Sequence, residues 1–378
     1  MSTANRAGHY EKVHLGDASY NAYIPNALPP QPPVEIDGEM LALLGKAREK
    51  LSELNTVSEF IPDTALFLSS YVRKEALLSS QIEGTQATLE DVFNADNAVS
   101  VNLDVNDVIN YVKALAFAIR KMNYFPLCNR LLCETHAILM EGVRGSDKQP
   151  GEFRKSQNWI GGAGCTIDTA RYVPPAPENM IVAISELEKF INDDETDTLI
   201  KTALAHYQFE TIHPFLDGNG RIGRMLICLM LINEKILTRP VLYPSLYLKT
   251  NRVEYYDRLS AVRQNGSYEQ WIKFFIAGII STCDDAINTI KQLHALMIND
   301  AQKLCGKPAS VLAVFDYIKE HPIIDITSTA KALELPYNTL SSSVKILTEL
   351  KILAPISNKT RNRSFQYTEY LKILKTGT

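Results

Sequence analysis

From Thr196 to His213 the chain runs without Gly or Pro, and Leu199, Ala203, His206, Tyr207, Phe209 and Glu210 fall on spacings of one helix. Pro214 cannot continue that helix, so it ends at about His213, and a second helix follows from near Arg221 to about Leu237. Upstream, Leu66, Ser69, Ser70, Arg73, Leu77 and Ser80 recur at three and four, which predicts a helix over 63–83 that Gly84 terminates. The stretch from Thr85 to Asp91 begins the next helix behind a Thr cap, and another helix is expected from Gly38 to Asn55. Before it, Tyr23 to Pro33 is Pro-rich and reads as an extended, polyproline-like strap on the protein's own surface. Gln157–Ile160 and Arg171–Val173 are short β-compatible runs joined through glycines, a small hairpin.

After Gly306 the pattern changes. Helices over 308–320, 328–333 and 337–350, with a turn at Glu334–Pro336, form a helix-turn-helix, and Lys359 to Tyr367 reads as a basic hairpin, together a winged-helix pattern. This segment holds ten Lys or Arg against six Asp or Glu, net +4, leaving −8 for the residues before it and −4 for the whole chain. Asn338, Ser341, Ser342 and Lys345 would face DNA, weakly and in a salt-sensitive way with so few cations. Winged helices also serve as protein-interaction and dimer modules. The expected organisation is an N-terminal region (1–100), a catalytic core (101–306) and a winged-helix-like domain (307–378).

The length of 378 residues and 46% hydrophobic content suit a chain with a sizeable core. The longest apolar run, Met225 to Ile232, is too short to span a membrane, and no basic start leads into an apolar stretch. The six cysteines have no C-x-x-C spacing, which fits free thiols in the cytoplasm and gives no zinc site.

The densest chemistry lies between His213 and Arg224, H-P-F-L-D-G-N-G-R-I-G-R. Gly218 and Gly220 around Asn219 let consecutive N–H groups turn into one concavity that holds an anion, at the positive end of the second helix. Arg221 and Arg224 share a face of its first turn, where cations are unfavourable unless an anion is near. Asp217 offers one hard carboxylate, suited to Mg²⁺. The residues alone thus describe a polyphosphate and Mg²⁺ site with His213 at its edge.

This segment matches every fixed position of the Fic signature, and the chain resembles that family. The resemblance implies an all-helical core with a β-hairpin flap and transfer of AMP from ATP to a Ser, Thr or Tyr hydroxyl of a protein. It makes His213 the general base, Asp217 the Mg²⁺ ligand, Gly218, Asn219 and Gly220 the anion hole, Arg221 a counter-charge, and Arg224 the γ-phosphate ligand. Ser79, Glu83 and Gly84 resemble the family's inhibitory motif, so Glu83 would pair with Arg224 and exclude the γ-phosphate, the class II arrangement. Trp159, Ile160 and Val173 would form a flap that docks the target backbone. Tyr243, Asn251 and Tyr256 are candidates for the adenine and ribose pocket, or core aromatics. The implied partners are ATP, a hydroxyl-bearing protein, the chain itself through self-modification, and a homo-oligomer. Two other readings use the same residues: a DNA-binding regulator with a nucleotide-responsive Fic module, and removal of AMP with Glu83 orienting water.

Overall fold

The computed structural model describes residues 5–15, 18–59, 64–94, 102–162, 164–356 and 363–376. Asp63 and residues 359–362 lie outside these, as do the side chains of Leu66 and Ser69. The chain opens with two antiparallel strands, β1 (Gly8–Leu15) and β2 (Ala18–Pro25), in register from Gly8 opposite Pro25. Helices follow as α1 (Gly38–Glu59), α2 (Thr64–Ile82), α3 (Leu89–Asn94), α4 (Leu103–Met122), α5 (Asn129–Leu139) and α6 (Pro177–Ile191). The centre is α7 (Thr198–Ile212) and α8 (Asn219–Asn233), then α9 (Ser245–Thr250), α10 (Arg252–Asn265) and the long α11 (Tyr268–Lys303). The chain closes with α12 (Ala309–Glu320), β3 (Ile323–Asp325), α13 (Ile326–Ala332), α14 (Tyr337–Glu349), β4 (Ala354–Pro355), β5 (Ser364–Gln366) and α15 (Thr368–Lys375).

In α1, Met40, Leu44, Ala47, Leu51 and Leu54 make one apolar stripe, which packs along α11. By contrast, α7 is buried from Leu199 to Ile212 on every side, between α6, α8, α11 and β2. Some of its polar groups find partners inside the protein: His206 lies 2.8 Å from the Gly223 carbonyl and 2.9 Å from Tyr255 Oη. The N-terminus of α7 is capped by Asp197, whose carboxylate accepts from Leu199 N and Ile200 N. At the other end His213 adopts a left-handed φ of 50°, which turns the chain out of the helix before Pro214.

Three expectations change. The helix predicted from Arg221 starts two residues earlier, because Gly218, with φ 74°, makes the turn, and it stops at Asn233, before Lys235 with φ 57°. The first residues form a hairpin where only a strap was expected, and Tyr23 belongs to β2. The strap itself has no regular structure and is tied down by Arg6 Nη1 on the Pro33 carbonyl (3.2 Å) and Glu35 N on Glu269 (3.1 Å). The flap is reduced to one bridge, Ile160 with Tyr172, joined by two backbone hydrogen bonds of 2.8 and 3.1 Å.

In the C-terminal segment β3, β5 and β4 form an antiparallel sheet beside α12, α13 and α14. Asn338, Ser342 and Lys345 are exposed on α14, while Ser341 accepts from Arg363 at 3.2 Å. No helix among the described residues is long and apolar enough to cross a membrane.

The placement of α2 matters most for the site. It packs against α4, α8 and α9 and also touches α12 and α15. Tyr370 Oη donates to Ser70 Oγ (3.1 Å) and Lys74 Nζ to the Thr376 carbonyl (2.8 Å), so the last helix of the chain helps to seat α2. Tyr370→Phe keeps the ring and removes the hydroxyl. It should cost about 0.5–1.5 kcal/mol in urea unfolding and speed amide exchange in α2 while leaving α7 unchanged; equal protection of α2 in both proteins would contradict this seating.

Candidate active site

The loop between α7 and α8 is built by side chains that face away from its open side. Asn219 Oδ1 accepts from Phe215 N (2.8 Å) and its Nδ2 donates to Phe215 O (2.7 Å), which closes the turn. From outside, Asn158 Nδ2 donates to the Phe215 carbonyl (2.9 Å), and the buried Arg154 donates through Nε to the His213 carbonyl (2.9 Å). His136 stacks on Phe215 with ring centroids 3.8 Å apart. Its Nδ1 accepts from Gly151 N at 2.9 Å, so the proton sits on Nε2, which donates to the Asp217 carbonyl at 3.0 Å. Thus the loop backbone is fixed at residues 213, 215 and 217, and the α8 N-terminus points at whatever binds there.

His213 is partly buried, with Nδ1 sealed from water and the Glu210 backbone carbonyl acting on the ring as an acceptor. Burial, reinforced by the Arg154 charge, pushes its pKa down to about 4. The ring is therefore neutral at pH 7 and able to take a proton.

Arg224 is 1% exposed and is held three times by the end of α2. Nε donates to Ser79 Oγ (2.9 Å), and Nη2 donates to the Ser79 carbonyl (2.9 Å) and to Glu83 Oε1 (2.7 Å). The Glu83 side chain keeps 40% of its surface open; the protein crowded around the carboxylate works against its charge, but the Arg224 charge and hydrogen bond hold it below the usual carboxylate range. Gly84, with φ 103°, ends the helix just behind Glu83. The inhibitory residues proposed from sequence thus lie on the motif's last arginine. Gly220 leaves room for this contact, since a Cβ there would overlap Glu83 Oε1.

Asp217 is partly exposed. Its Oδ1 accepts from Gly218 N (2.7 Å) and its Oδ2 faces Lys148 Nζ at 3.0 Å. Among the described residues no three acidic, His or Cys side chains gather to hold a metal. A single carboxylate fits Mg²⁺ bound mainly through substrate phosphates, and Lys148 is the cation it would replace.

A cavity of about 380 Å³ opens beside Glu83, lined by Ile160, Tyr172, Glu210, Tyr256, Leu259 and Arg263. Of the three nucleoside candidates only Tyr256 reaches it. Tyr243 is buried against Tyr71 with its hydroxyl on the Pro240 carbonyl, and Asn251 donates to the Tyr247 carbonyl (2.9 Å). Both line a separate cavity with Thr282 and Asp285. Arg221 also departs from expectation: it lies inside the protein, paired with Asp107 at 3.1 Å, where it can supply field but no open contact. The Asn219 side chain clamps the loop, so only its backbone is left for an anion. Val173 is no free docking edge, because its carbonyl accepts from Tyr23 N (3.0 Å) and its side chain packs with Tyr20 and Ala22. Trp159 is exposed and Ile160 lines the cavity.

Sequence reading passed over Asp107, His136, Lys148, Arg154 and Asn158, which come from segments far from the motif. Only Asn158 sits in a stretch that was singled out, Gln157–Ile160, which reads as strand. Glu210 was seen as a helix position, not as a cavity group.

The Fic/DOC family N-terminal pattern matches residues 41–120, and the Fic/DOC family pattern matches residues 126–231. The protein adenylyltransferase Fic of Drosophila mojavensis is 32% identical over 253 residues, 63% of this chain and 45% of that protein. That of Drosophila yakuba is 33% identical over 127 residues, 33% of this chain and 22% of that protein. The chain thus spans less than half the length of these curated relatives. A Fic family protein from Desulfovibrio desulfuricans G20 shares the fold, with a TM-score of 0.60 at 20% identity over 89% of this chain and 98% of that one. Fic-1 from C. elegans, residues 134–508, gives 0.51 at 18% identity over 66% and 74%.

The state of His213 can be measured without a substrate. NMR titration of the ring should give a midpoint well below 5, whereas an unperturbed histidine is about three-quarters protonated by pH 6. Glu83→Gly should lower the midpoint further, because the Glu83 carboxylate favours the imidazolium. A midpoint near 6.5 would refute the buried, neutral base.

Proposed function

The chain belongs to the Fic/DOC family, and from its site we propose that it transfers AMP from ATP to a hydroxyl of a protein target and is made switched off, with Glu83 in the place of the γ-phosphate. The observation that carries this is the capture of Arg224 by Ser79 and Glu83. A guanidinium in the phosphate-binding motif already has its hydrogen bonds made by another part of the same chain.

With Glu83 withdrawn, Arg224 is free to take the γ-phosphate, which orients the nucleotide along the α8 N-terminus. The α-phosphate then meets the N–H groups of the loop from Gly218 to Gly220. His213 takes the proton of the target hydroxyl as its oxygen attacks the α-phosphorus. The new O–P bond forms as the bond from the α-phosphorus to the bridging oxygen breaks, and pyrophosphate leaves. Asp217 would hold Mg²⁺, which supplies charge neutralisation to the leaving phosphates. Trp159 and Ile160 are left as the part of the flap open to a target, and Tyr256 as the aromatic wall for the nucleoside. The N-terminal and winged-helix-like divisions at 100 and 306, with DNA contact through 307–378, remain proposals on sequence grounds. Free cysteines at the six positions are compatible with a cytoplasmic protein.

Full-length protein and Glu83→Gly, incubated with cell lysate and ATP labelled at either the α or the γ position, separate the chemistries. Protein labelling is expected from the α position only, about ten- to a hundredfold stronger in Glu83→Gly. Adding His213→Ala should reduce it by at least about 10²-fold. Labelling from γ alone would indicate phosphoryl transfer, and undiminished labelling in the double variant would remove His213 from the reaction.

A further inference from the structure

Glu210 sits in the last turn of α7, three residues before His213, and is 8% exposed. Its Oε1 is sealed from water without a hydrogen-bond partner, although the residue lines the cavity beside Glu83. The two guanidinium groups whose charge acts on it are engaged elsewhere: Arg224 with Ser79 and Glu83, and Arg263 with Ser260 Oγ (3.2 Å) and the Tyr172 ring (4.1 Å from its centroid). Nor is the carboxyl a remnant squeezed in by chance. A Cβ at Gly223 would overlap Oε1, so α8 carries a glycine where the carboxyl needs space, and His206 holds the Gly223 carbonyl at 2.8 Å.

A buried acceptor without a partner is unfavourable until something donates to it. The surroundings say what that donor belongs to. Tyr256, Leu259 and Ile160 are walls for a flat apolar face, and beside them stand a carboxyl with an oxygen free to accept and a guanidinium that only donates. A carboxyl alone can hold a sugar hydroxyl, but a sugar makes no use of flat apolar walls. A planar heterocycle with a donor and an acceptor along one edge uses both the walls and the pair.

We infer that Glu210 is a specificity-determining residue that accepts a hydrogen bond from the exocyclic amine of the adenine ring, with Arg263 beside it for a ring nitrogen. This inference rests on the ATP reading of the site.

The test uses full-length Glu83→Gly and calorimetric dissociation constants for ATP, for purine riboside triphosphate, which lacks the amine, and for 2′-deoxy-ATP. At pH 8, where the Glu210 carboxyl is mostly ionised, ATP should bind about ten- to a hundredfold more tightly than purine riboside triphosphate, the range of one hydrogen bond to a charged group. Adding Glu210→Leu should bring that ratio to within about twofold and leave the ratio of ATP to 2′-deoxy-ATP unmoved. Glu210→Gln, which keeps an acceptor oxygen in place, should retain most of the discrimination. An unmoved purine ratio in Glu210→Leu overturns the inference, and so does a change in the 2′-deoxy ratio, which would put the carboxyl on the ribose. Unfolding of Glu210→Leu also overturns it, because the carboxyl would then be satisfied within the protein. If ATP binds and its α-phosphate labels protein while Glu210→Leu changes nothing, only this inference fails; if Glu83→Gly binds no nucleotide, the AMP-transfer reading fails with it.

Discussion

Arg224 is buried to 1% exposure, and a charge that deep has to be paired. Removing its partners would leave a cation that the interior cannot solvate. Ser79 and Glu83 meet the need in this state, and the γ-phosphate of a nucleotide would meet it equally well. On the proposed reading the two solutions exclude each other, because they would use the same N–H groups. So the seating of α2, the room at Gly220 and the burial of α8 all bear on one question, which anion Arg224 holds. The contacts of α2 with α15 connect that question to the C-terminal segment.

Around this pair the site is assembled mostly from behind. Arg154, Asn158, His136 and Asn219 spend their hydrogen bonds on loop carbonyls and amides, so the groups left facing outward are backbone N–H groups, one histidine ring and one carboxylate. Burial keeps the His213 ring neutral, and it gives Glu210 the opposite shift, up to about 7. A neutral base just past the end of α7 and a carboxyl of raised pKa in its last turn share one leading cause, burial, to which the Arg154 charge adds at His213.

The central helix pair was legible in sequence because Pro214 and Gly218 punctuate it, and its ends moved by only a few residues where Gly218 and Lys235 took positive φ. The Glu83 contact was legible too, through the family resemblance and the awkwardness of a carboxylate at a helix end. Other features left no readable trace. Since α7 is buried all round, its periodicity could not say that Glu210 faces a cavity, and aromatic spacing could not separate Tyr256, which does, from Tyr243, which does not. Asp107, Lys148 and Arg154 act through contacts with residues some 60 to 110 positions away, which one sequence does not reveal. The β1–β2 alternation was present to be read, but the run of prolines after it pointed to a strap.

The most direct measurement compares the dissociation constants of ATP and ADP for the wild-type protein and for Glu83→Gly. If Glu83 competes with the γ-phosphate for Arg224, the substitution tightens ATP by about ten- to a hundredfold, the range of one charge-assisted hydrogen bond, and barely changes ADP. Equal gains for the two nucleotides, or none for ATP, would contradict the competition for Arg224.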